Sequence, residues 1–239
     1  MVYGSYKPPF KLSRKRFSIE VKKLGEDAWI YKRSCESSGE TVKQIAGSSV
    51  EIILNPVEPV NLPSEITSFL LIELENELVL APKENAKVFL TFPIEIGIIL
   101  KQKESYRVLD IFSLLPQKYT LYGSVRTGKV CRYWKSCVHF KTPKTNPLEE
   151  GVLELDIKNP THEWVSISRA VFSAWGMKIF YSKNLVSMRA VMKIINKDVA
   201  ETSFVEEPLE KGMKKSIEIY MARKIILPFA TKFVMEEGL

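Results

Sequence analysis

The sequence has little of the chemistry that marks most enzymes and membrane proteins. Its 239 residues include two histidines, His139 and His162, and three cysteines, Cys35, Cys131 and Cys137. Three cysteines without dense spacing do not indicate a disulfide scaffold, so we expect a protein of the reducing cytoplasm. No run reaches the ~20 apolar residues of a membrane span, and the first residues lack the apolar core of a signal peptide.

No catalytic or metal-binding motif meets its physical requirements. The segment Gly123–Val130 resembles a phosphate-binding P-loop, but Val130 stands where that motif needs a magnesium-binding hydroxyl. A strand pattern also follows where the motif needs a helix N-terminus, so we interpret the segment as a hairpin loop. Cys131, Cys137 and His139 would spread over ~20 Å of strand, too far apart for one metal ion. We therefore predict no catalytic residue, metal or cofactor, and the sequence favours a non-enzymatic protein.

The sequence does contain a strongly basic stretch from Ile111 to Leu148. It holds seven basic residues and no Asp or Glu, so its charge of +7 equals that of the whole chain. Residues 1–50 carry +5, residues 51–110 carry −5 and residues 149–239 are neutral. This polarity of charge indicates an anionic partner, although a solvated basic face of a sheet would give the same pattern.

On the binding interpretation, the basic side chains contact phosphate and the interleaved aromatic side chains stack on bases or pack on a protein. Arg14, Lys15 and Arg16 in the basic first segment would extend the same surface. The predicted partner-binding residues within the stretch are Lys118, Tyr119, Arg126, Lys129, Arg132, Tyr133, Trp134, Lys135, Lys141 and Lys144. The series Glu58, Glu65, Glu73, Glu75 and Glu77 is interpreted as a solvated acidic face.

Apolar residues alternate with polar ones along much of the chain, which is the pattern of half-buried strands. About a dozen short strands and almost no amphipathic helix predict an all-β protein of sandwich or jelly-roll type, with mainly antiparallel strands. We expect two sandwiches, residues 1–112 and 113–239, or alternatively one large double-sheet domain. Three prolines in Asn55–Pro63 predict an extended crossover rather than a central strand. A helix competes with a strand only in Ile217–Leu227.

Four segments carry a resemblance to a known family: Leu54–Pro63, Thr91–Gly97, Lys118–Gly123 and Cys131–Ser136. Together they resemble an archaeal family, known as domain-of-unknown-function family four-three-two, over most of the chain. The resemblance implies an archaeal, cytosolic protein and supplies no catalytic residues. It also suggests an association with factors that dock on the small ribosomal subunit and silence it.

Three functions from different classes follow as hypotheses. The first is a non-enzymatic, homodimeric protein that docks on ribosomal RNA or ribosomal proteins of the small subunit, as a translation-silencing or subunit-dimerisation factor. Edge strands and the apolar stretch Ile225–Met235 favour the homodimer. The second is a jelly-roll enzyme or binder of a small anionic ligand, with its site between the sheets. The third is a regulatory partner at a membrane surface, where the lysines meet anionic lipid.

Overall fold

The computed structural model describes residues 2–64, 66–219 and 232–239, and it is all-β, as the sequence predicted. The strands in these ranges form four sheets, and a short 3-10 turn lies at Ala174–Gly176. Two strand pairs are parallel and the others are antiparallel, which confirms the mainly antiparallel expectation. Within the described ranges, no helix has the length and apolarity needed to cross a membrane.

Sheets A and B are antiparallel and come almost entirely from the first 112 residues. Sheet A has the order β1-β6-β9-β10, and sheet B is the meander β2-β3-β4-β5. Their bounds are β1 Gly4–Tyr6, β2 Phe10–Ser13, β3 Phe17–Gly25, β4 Ala28–Cys35, β5 Gly39–Ala46, β6 Glu51–Val57, β9 Glu95–Gln102 and β10 Ser105–Phe112.

Sheets C and D hold the remaining strands. Sheet C has the order β11-β12-β7-β14, and sheet D runs β18-β15-β16-β13-β8, with β17 beside β16 and β19 beside β17. Their bounds are β7 Phe69–Leu80, β8 Asn85–Pro93, β11 Tyr119–Tyr122, β12 Lys129–Ser136, β13 Glu150–Lys158, β14 Val165–Ser173, β15 Phe180–Tyr181, β16 Val186–Asn196, β17 Val199–Val205, β18 Lys214–Lys215 and β19 Lys232–Met235.

The sheets pack in pairs, sheet A with sheet B and sheet C with sheet D, as in a sandwich. Sheet B meets sheet A where the rings of Phe17 and Phe112 lie 5.2 Å apart. Sheet C meets sheet D where the rings of Phe172 and Phe204 lie 5.2 Å apart. Period-2 alternation explains these faces, because every second residue of β3 from Phe17 to Val21 is buried.

Strands from both halves of the chain share sheets C and D. The β7–β8 hairpin precedes residue 112, yet β7 pairs with β12 and β14, and β8 pairs with β13. One buried apolar cluster includes side chains from all four sheets. A boundary between residues 112 and 113 would therefore cut through two sheets, and the division into independently folding units stays a prediction.

Two local expectations differ from the structure. Pro56 lies inside β6 and not in a crossover, opposite Ile96 of β9. On the other side of β6, β1 pairs only with residues 52–54, so the missing N–H of Pro56 removes no hydrogen bond to β1. The strand expected over Val130–Phe140 ends at Ser136. Most of Ile217–Leu227 lies outside the described residues.

Candidate anionic-partner interface

The centre of the basic stretch folds as the β11–β12 hairpin, at the edge of sheet C. The two strands pair antiparallel from Tyr119 opposite Arg132 to Tyr122 opposite Lys129. The backbone N–H of Tyr133 also donates to the carbonyl oxygen of Lys118 at 2.8 Å. Because opposite residues of a pair share a face, Lys118, Tyr133 and Lys135 lie on one face of the hairpin.

The hairpin loop, residues 123–128, holds its shape through its own backbone. The N–H of Gly128 donates to the carbonyl oxygen of Ser124 at 2.7 Å, and the hydroxyls of Ser124 and Thr127 lie 2.7 Å apart. A Cβ at Gly128 would come within 2.5 Å of that same carbonyl oxygen, so the turn requires glycine. The loop leads into strand β12, as expected for a hairpin, and presents Arg126 to solvent.

The exposed cations of the stretch have no acidic partner among the described residues. Salt bridges within 4.0 Å engage basic side chains of other segments, including Lys11, Lys87 and Arg189. Lys129 lies over the ring of Phe233, with its Nζ 5.4 Å from the ring centroid. The exposed cations without a salt bridge here are Lys118, Arg126, Lys129, Lys135, Lys141 and Lys144.

Acidic side chains border this surface at two points. Glu73 of β7 lies directly opposite Lys135 in the parallel β7–β12 pair. Desolvation raises the pKa of the half-buried Tyr133, and its hydrogen bond with Glu73 acts in the same direction. At the loop end, the carboxyl group of Glu237 lies close to Gly123. These two carboxylates therefore limit the positive surface on the β7 side and at the loop end of the hairpin.

Arg132 is not a surface residue, and its predicted contact with phosphate is wrong. Its side chain is 1% exposed, because the face of β12 that carries Arg132 and Trp134 turns toward sheet D. Its guanidinium donates to the carbonyl oxygens of Lys118 at 2.9 Å and Pro116 at 3.3 Å. It lies over the ring of Tyr119, 5.8 Å from the centroid. Arg132 thus fixes the start of the hairpin from inside.

The aromatic side chains of the hairpin are partly engaged within the protein. The hydroxyl of Tyr119 donates to the carbonyl oxygen of Leu62. The indole N–H of Trp134 donates to Oγ1 of Thr91 on sheet D at 2.9 Å. Tyr119, Tyr133 and Trp134 are all half-buried, so each keeps part of its ring accessible. Their roles as stacking anchors stay a prediction.

The basic N-terminal residues divide into two exposed cations and one that is held in an ion pair. Arg14 and Lys15 are exposed, and Arg14 lines a small cavity of about 190 Å³ with Asn146 and Lys183. The fold therefore brings Arg14 to the end of the basic stretch. Arg16 donates to Glu149 at 2.5 Å and to the carbonyl oxygen of Leu114, so its charge is already neutralised.

The sequence did not predict the burial of two carboxylates, Glu58 and Glu95. Glu58, predicted on a solvated face, is 2% exposed, and Glu95 is fully buried. Burial raises the pKa of Glu58 to about 7 and that of Glu95 to about 8. Asn61 connects them: its backbone N–H donates to Glu95 at 3.1 Å, and its side-chain amide donates to the carbonyl oxygen of Glu58 at 2.6 Å.

The other members of the predicted acidic face differ from Glu58. Glu75 and Glu77 are exposed and Glu73 is half-buried, while Glu65 lies outside the described residues. Alternation along the chain gave no signal for the burial of Glu95, because it would place Glu95 on the face opposite Ile94 and Ile96, whereas the first five residues of β9 are all buried. Across the described ranges, no group of three or more His, Cys, Asp and Glu side chains is placed to hold a metal ion.

Comparison with known proteins identifies a family without assigning an activity. No curated protein and no solved structure matches the chain. The profile of one family, described as a protein of unknown function, matches residues 2–236. The chain therefore belongs to the DUF432 family of proteins of unknown function.

Proposed function

We propose that this protein is a non-enzymatic binding protein that docks on an anionic ribonucleoprotein, the small ribosomal subunit, through the β11–β12 hairpin. One observation carries the proposal: the exposed cations of the hairpin have no salt bridge to any described residue, and they belong to a stretch, residues 111–148, that contains no Asp or Glu. Unpaired cations keep their full attraction for phosphate, because no internal carboxylate competes with it.

The arrangement of these cations suits a long polyanion. Lys118 precedes β11 and Arg126 lies in the loop that follows it. The strand between them has four residues and is about 13 Å long at ~3.3 Å per residue. Charges spread along a line meet several phosphates of a backbone at once, and each contact releases counterions. Such contacts position a protein without reading base sequence.

We further propose that the protein acts as a homodimer, as a factor that joins or silences ribosomal subunits would. β11 is an edge strand of sheet C, and its Leu121 lies opposite Val130. These two apolar side chains are 38% and 43% exposed. An exposed edge strand with apolar side chains favours pairing with a second copy about a twofold axis. The other segment favoured for pairing, Ile225–Met235, lies outside the described residues except for β19.

Reversing two hairpin charges is expected to weaken ribosome binding. In a sucrose gradient with archaeal small subunits, the wild-type protein should migrate with the subunits, and Arg126→Glu/Lys129→Glu should remain mostly at the top. The slope of log affinity against log salt should become shallower by about 1 for each phosphate that the variant no longer neutralises. Binding measured by microscale thermophoresis across a salt series checks this.

A matched control variant distinguishes an effect of the hairpin on subunit binding from an effect of the net charge of the protein. Lys158→Glu/Lys211→Glu makes the same charge change at two exposed lysines of other segments that form no salt bridge with a described residue. It should retain subunit binding. Equal binding by the hairpin variant and the control variant would count against the proposal, as would migration of the wild-type protein at the top of the gradient at low salt.

A separate measurement tests whether the protein forms a homodimer through β11. Sedimentation velocity of the free protein should give a dimer, and Leu121→Glu should give a monomer, because the new carboxylate would face its own copy across the twofold axis. A wild-type monomer at micromolar concentration, or a Leu121→Glu dimer, would contradict pairing through β11.

A further inference from the structure

A groove runs between two edge strands, β5 of sheet B and β10 of sheet A. Within the described part of the chain, β5 pairs only with β4 and β10 only with β9. The central cavity of the groove has a volume of about 660 Å³. It shares Lys43 and Arg107 with a cavity of about 550 Å³ on one side, and Val50 and Gln102 with one of about 520 Å³ on the other. The three cavities together form one elongated groove.

The strands present their edges to this groove. Residues 43–46 of β5 and residues 107–111 of β10 line it consecutively. A strand that lined a cavity with one face would contribute every second residue, so consecutive lining residues mean that the backbone itself faces the groove. One contact crosses it: the ammonium of Lys43 donates to the carbonyl oxygen of Leu109. That carbonyl group therefore points into the groove.

The groove is positively charged along its length. Lys43 and Arg107 lie at its centre, and Lys7 and Lys103 at one end. Its two carboxylates are already neutralised within the protein. Glu51 lies 3.6 Å from Lys101, and Asp110 lies 2.6 Å from Arg33. The four cations form no salt bridge with any described residue, so Lys7, Lys103 and Arg107 are available to an anionic partner, and Lys43 would exchange its bond to the carbonyl oxygen of Leu109 for one to that partner.

Apolar side chains form the floor beneath these cations. Ile45 and Leu109 are buried there, and Val50, Leu100 and Val108 are half-buried. An extended peptide directs successive side chains to opposite sides. A peptide that alternates acidic and apolar residues would therefore place carboxylates against the cations and apolar groups against the floor.

The lining disfavours a single-stranded nucleic acid, which needs exposed aromatic faces for its bases. Trp29 lines one end but is only 9% exposed, and its indole N–H donates to the carbonyl oxygen of Gly47 at 2.9 Å. Two free strand edges instead suit a polypeptide, which pairs with them through its own backbone groups.

We propose that this groove binds an extended acidic segment of a partner protein, which adds as a strand between β5 and β10. The site shares no residue with the β11–β12 hairpin and does not depend on the function proposed for it. Backbone hydrogen bonds to the strand edges provide affinity, and Lys43, Lys103 and Arg107 select for acidic side chains.

The test uses a fluorescein-labelled decapeptide of alternating Glu and Val, measured by fluorescence anisotropy with the full chain. Two further versions carry N-methyl groups on alternate backbone nitrogens, in either phase. We expect saturable binding of the parent peptide and at least ~10-fold weaker binding of both methylated versions, about 1.4 kcal/mol each. Both phases should matter, because alternate amides of a strand point to opposite sides, one set toward β5 and the other toward β10.

Protein variants place the binding in the groove. Lys103→Glu/Arg107→Glu should weaken peptide binding by at least ~10-fold, whereas Lys158→Glu/Lys211→Glu, with the same charge change elsewhere, should not. Equal affinity for the parent peptide and either methylated peptide would overturn the proposal. Tighter binding of a ten-residue oligothymidine than of the peptide, or no peptide binding at millimolar concentration, would also overturn it.

Discussion

Replacement of Arg33 by methionine is expected to lower the free energy of unfolding by about 3–5 kcal/mol. Arg33 is 3% exposed, and its Nε donates to Oδ2 of Asp110 at 2.6 Å. Its other nitrogens donate to Ser38 at 2.9 Å and to Thr41 at 2.6 Å. The variant would leave the Asp110 carboxylate buried with the hydroxyl of Tyr31 as its remaining side-chain donor, at 2.9 Å.

The Arg33–Asp110 pair also bears on the groove. Asp110 follows a bulge in β10, where the pairing with β9 shifts between Val108 and Asp110. Arg33 belongs to β4 and holds this irregular part of β10 against sheet B. Removal of the arginine is therefore expected to loosen the groove wall as well as to destabilise the fold.

Urea unfolding monitored by circular dichroism measures this effect. The double variant Arg33→Met/Asp110→Leu should recover much of the stability, because it removes the unpaired carboxylate together with its partner. Arg16→Met provides the control, since its ion pair with Glu149 is partly exposed and such pairs contribute only about 0–1 kcal/mol. A decrease below about 1 kcal/mol in Arg33→Met would contradict the expectation.

The second large effect is a fall in stability as the pH rises from about 4.5 to about 8. Burial raises the pKa of Glu58 to about 7 and of Glu95 to about 8 from an ordinary value of 4.5. In this range the folded protein therefore binds more protons than the unfolded chain, so the free energy of unfolding decreases with rising pH. Each pKa unit corresponds to about 1.4 kcal/mol, so the two groups together would give a total change of up to about 8 kcal/mol.

The charged neighbours of Glu58 and Glu95 do not reverse the direction of this pH dependence. Arg132 attracts the Glu95 carboxylate, but burial outweighs the attraction. Glu58 faces both Glu218, which raises its pKa further, and Lys178, which lowers it. Because Lys178 also donates to Glu218 at 2.9 Å, its charge is shared between two carboxylates.

Neutral variants test this assignment. Glu95→Gln keeps an acceptor for the Asn61 N–H but cannot ionise, so it should be more stable than the wild type at pH 8 and show a shallower pH dependence. Urea unfolding at pH 5, 6, 7 and 8 provides the measurement. Glu163→Gln, at an exposed carboxylate without a salt bridge to a described residue, should follow the wild-type curve. Identical slopes for the wild type and Glu95→Gln would refute a proton held on Glu95.

Local patterns in the sequence were sufficient for the fold class and for the nature of the hairpin loop. Alternation along β3 and β4 follows from the geometry of a single strand, in which successive side chains point to opposite faces. Val130 in place of a hydroxyl side chain and the strand pattern around it excluded a phosphate-binding P-loop, because that motif needs a magnesium-binding hydroxyl and a helix at the same place. These features depend on neighbours within a few residues.

The same local reasoning failed where distant segments meet. Arg132 was predicted to contact phosphate, but it lies on the face of β12 that packs toward sheet D, and one strand's sequence does not say which of its faces is covered. Glu58 was assigned to an acidic face that Glu75 and Glu77 do form. Its burial depends on Asn61 and on the segment near Ile219, whose N–H donates to Glu58 at 3.3 Å.

Three properties follow from the order of the residues without knowledge of the fold: the all-β class, the concentration of positive charge in residues 111–148 and the lack of a recognisable catalytic motif. Which charges remain at the surface, and where a groove forms, depends on how the sheets pack. Alternation in β4 places Arg33 on the same face as the buried Tyr31, yet its partner Asp110 is 77 residues away. Contacts between residues so far apart in the sequence form only when the sheets pack, because the burial of a side chain depends on both packed surfaces and not on one strand.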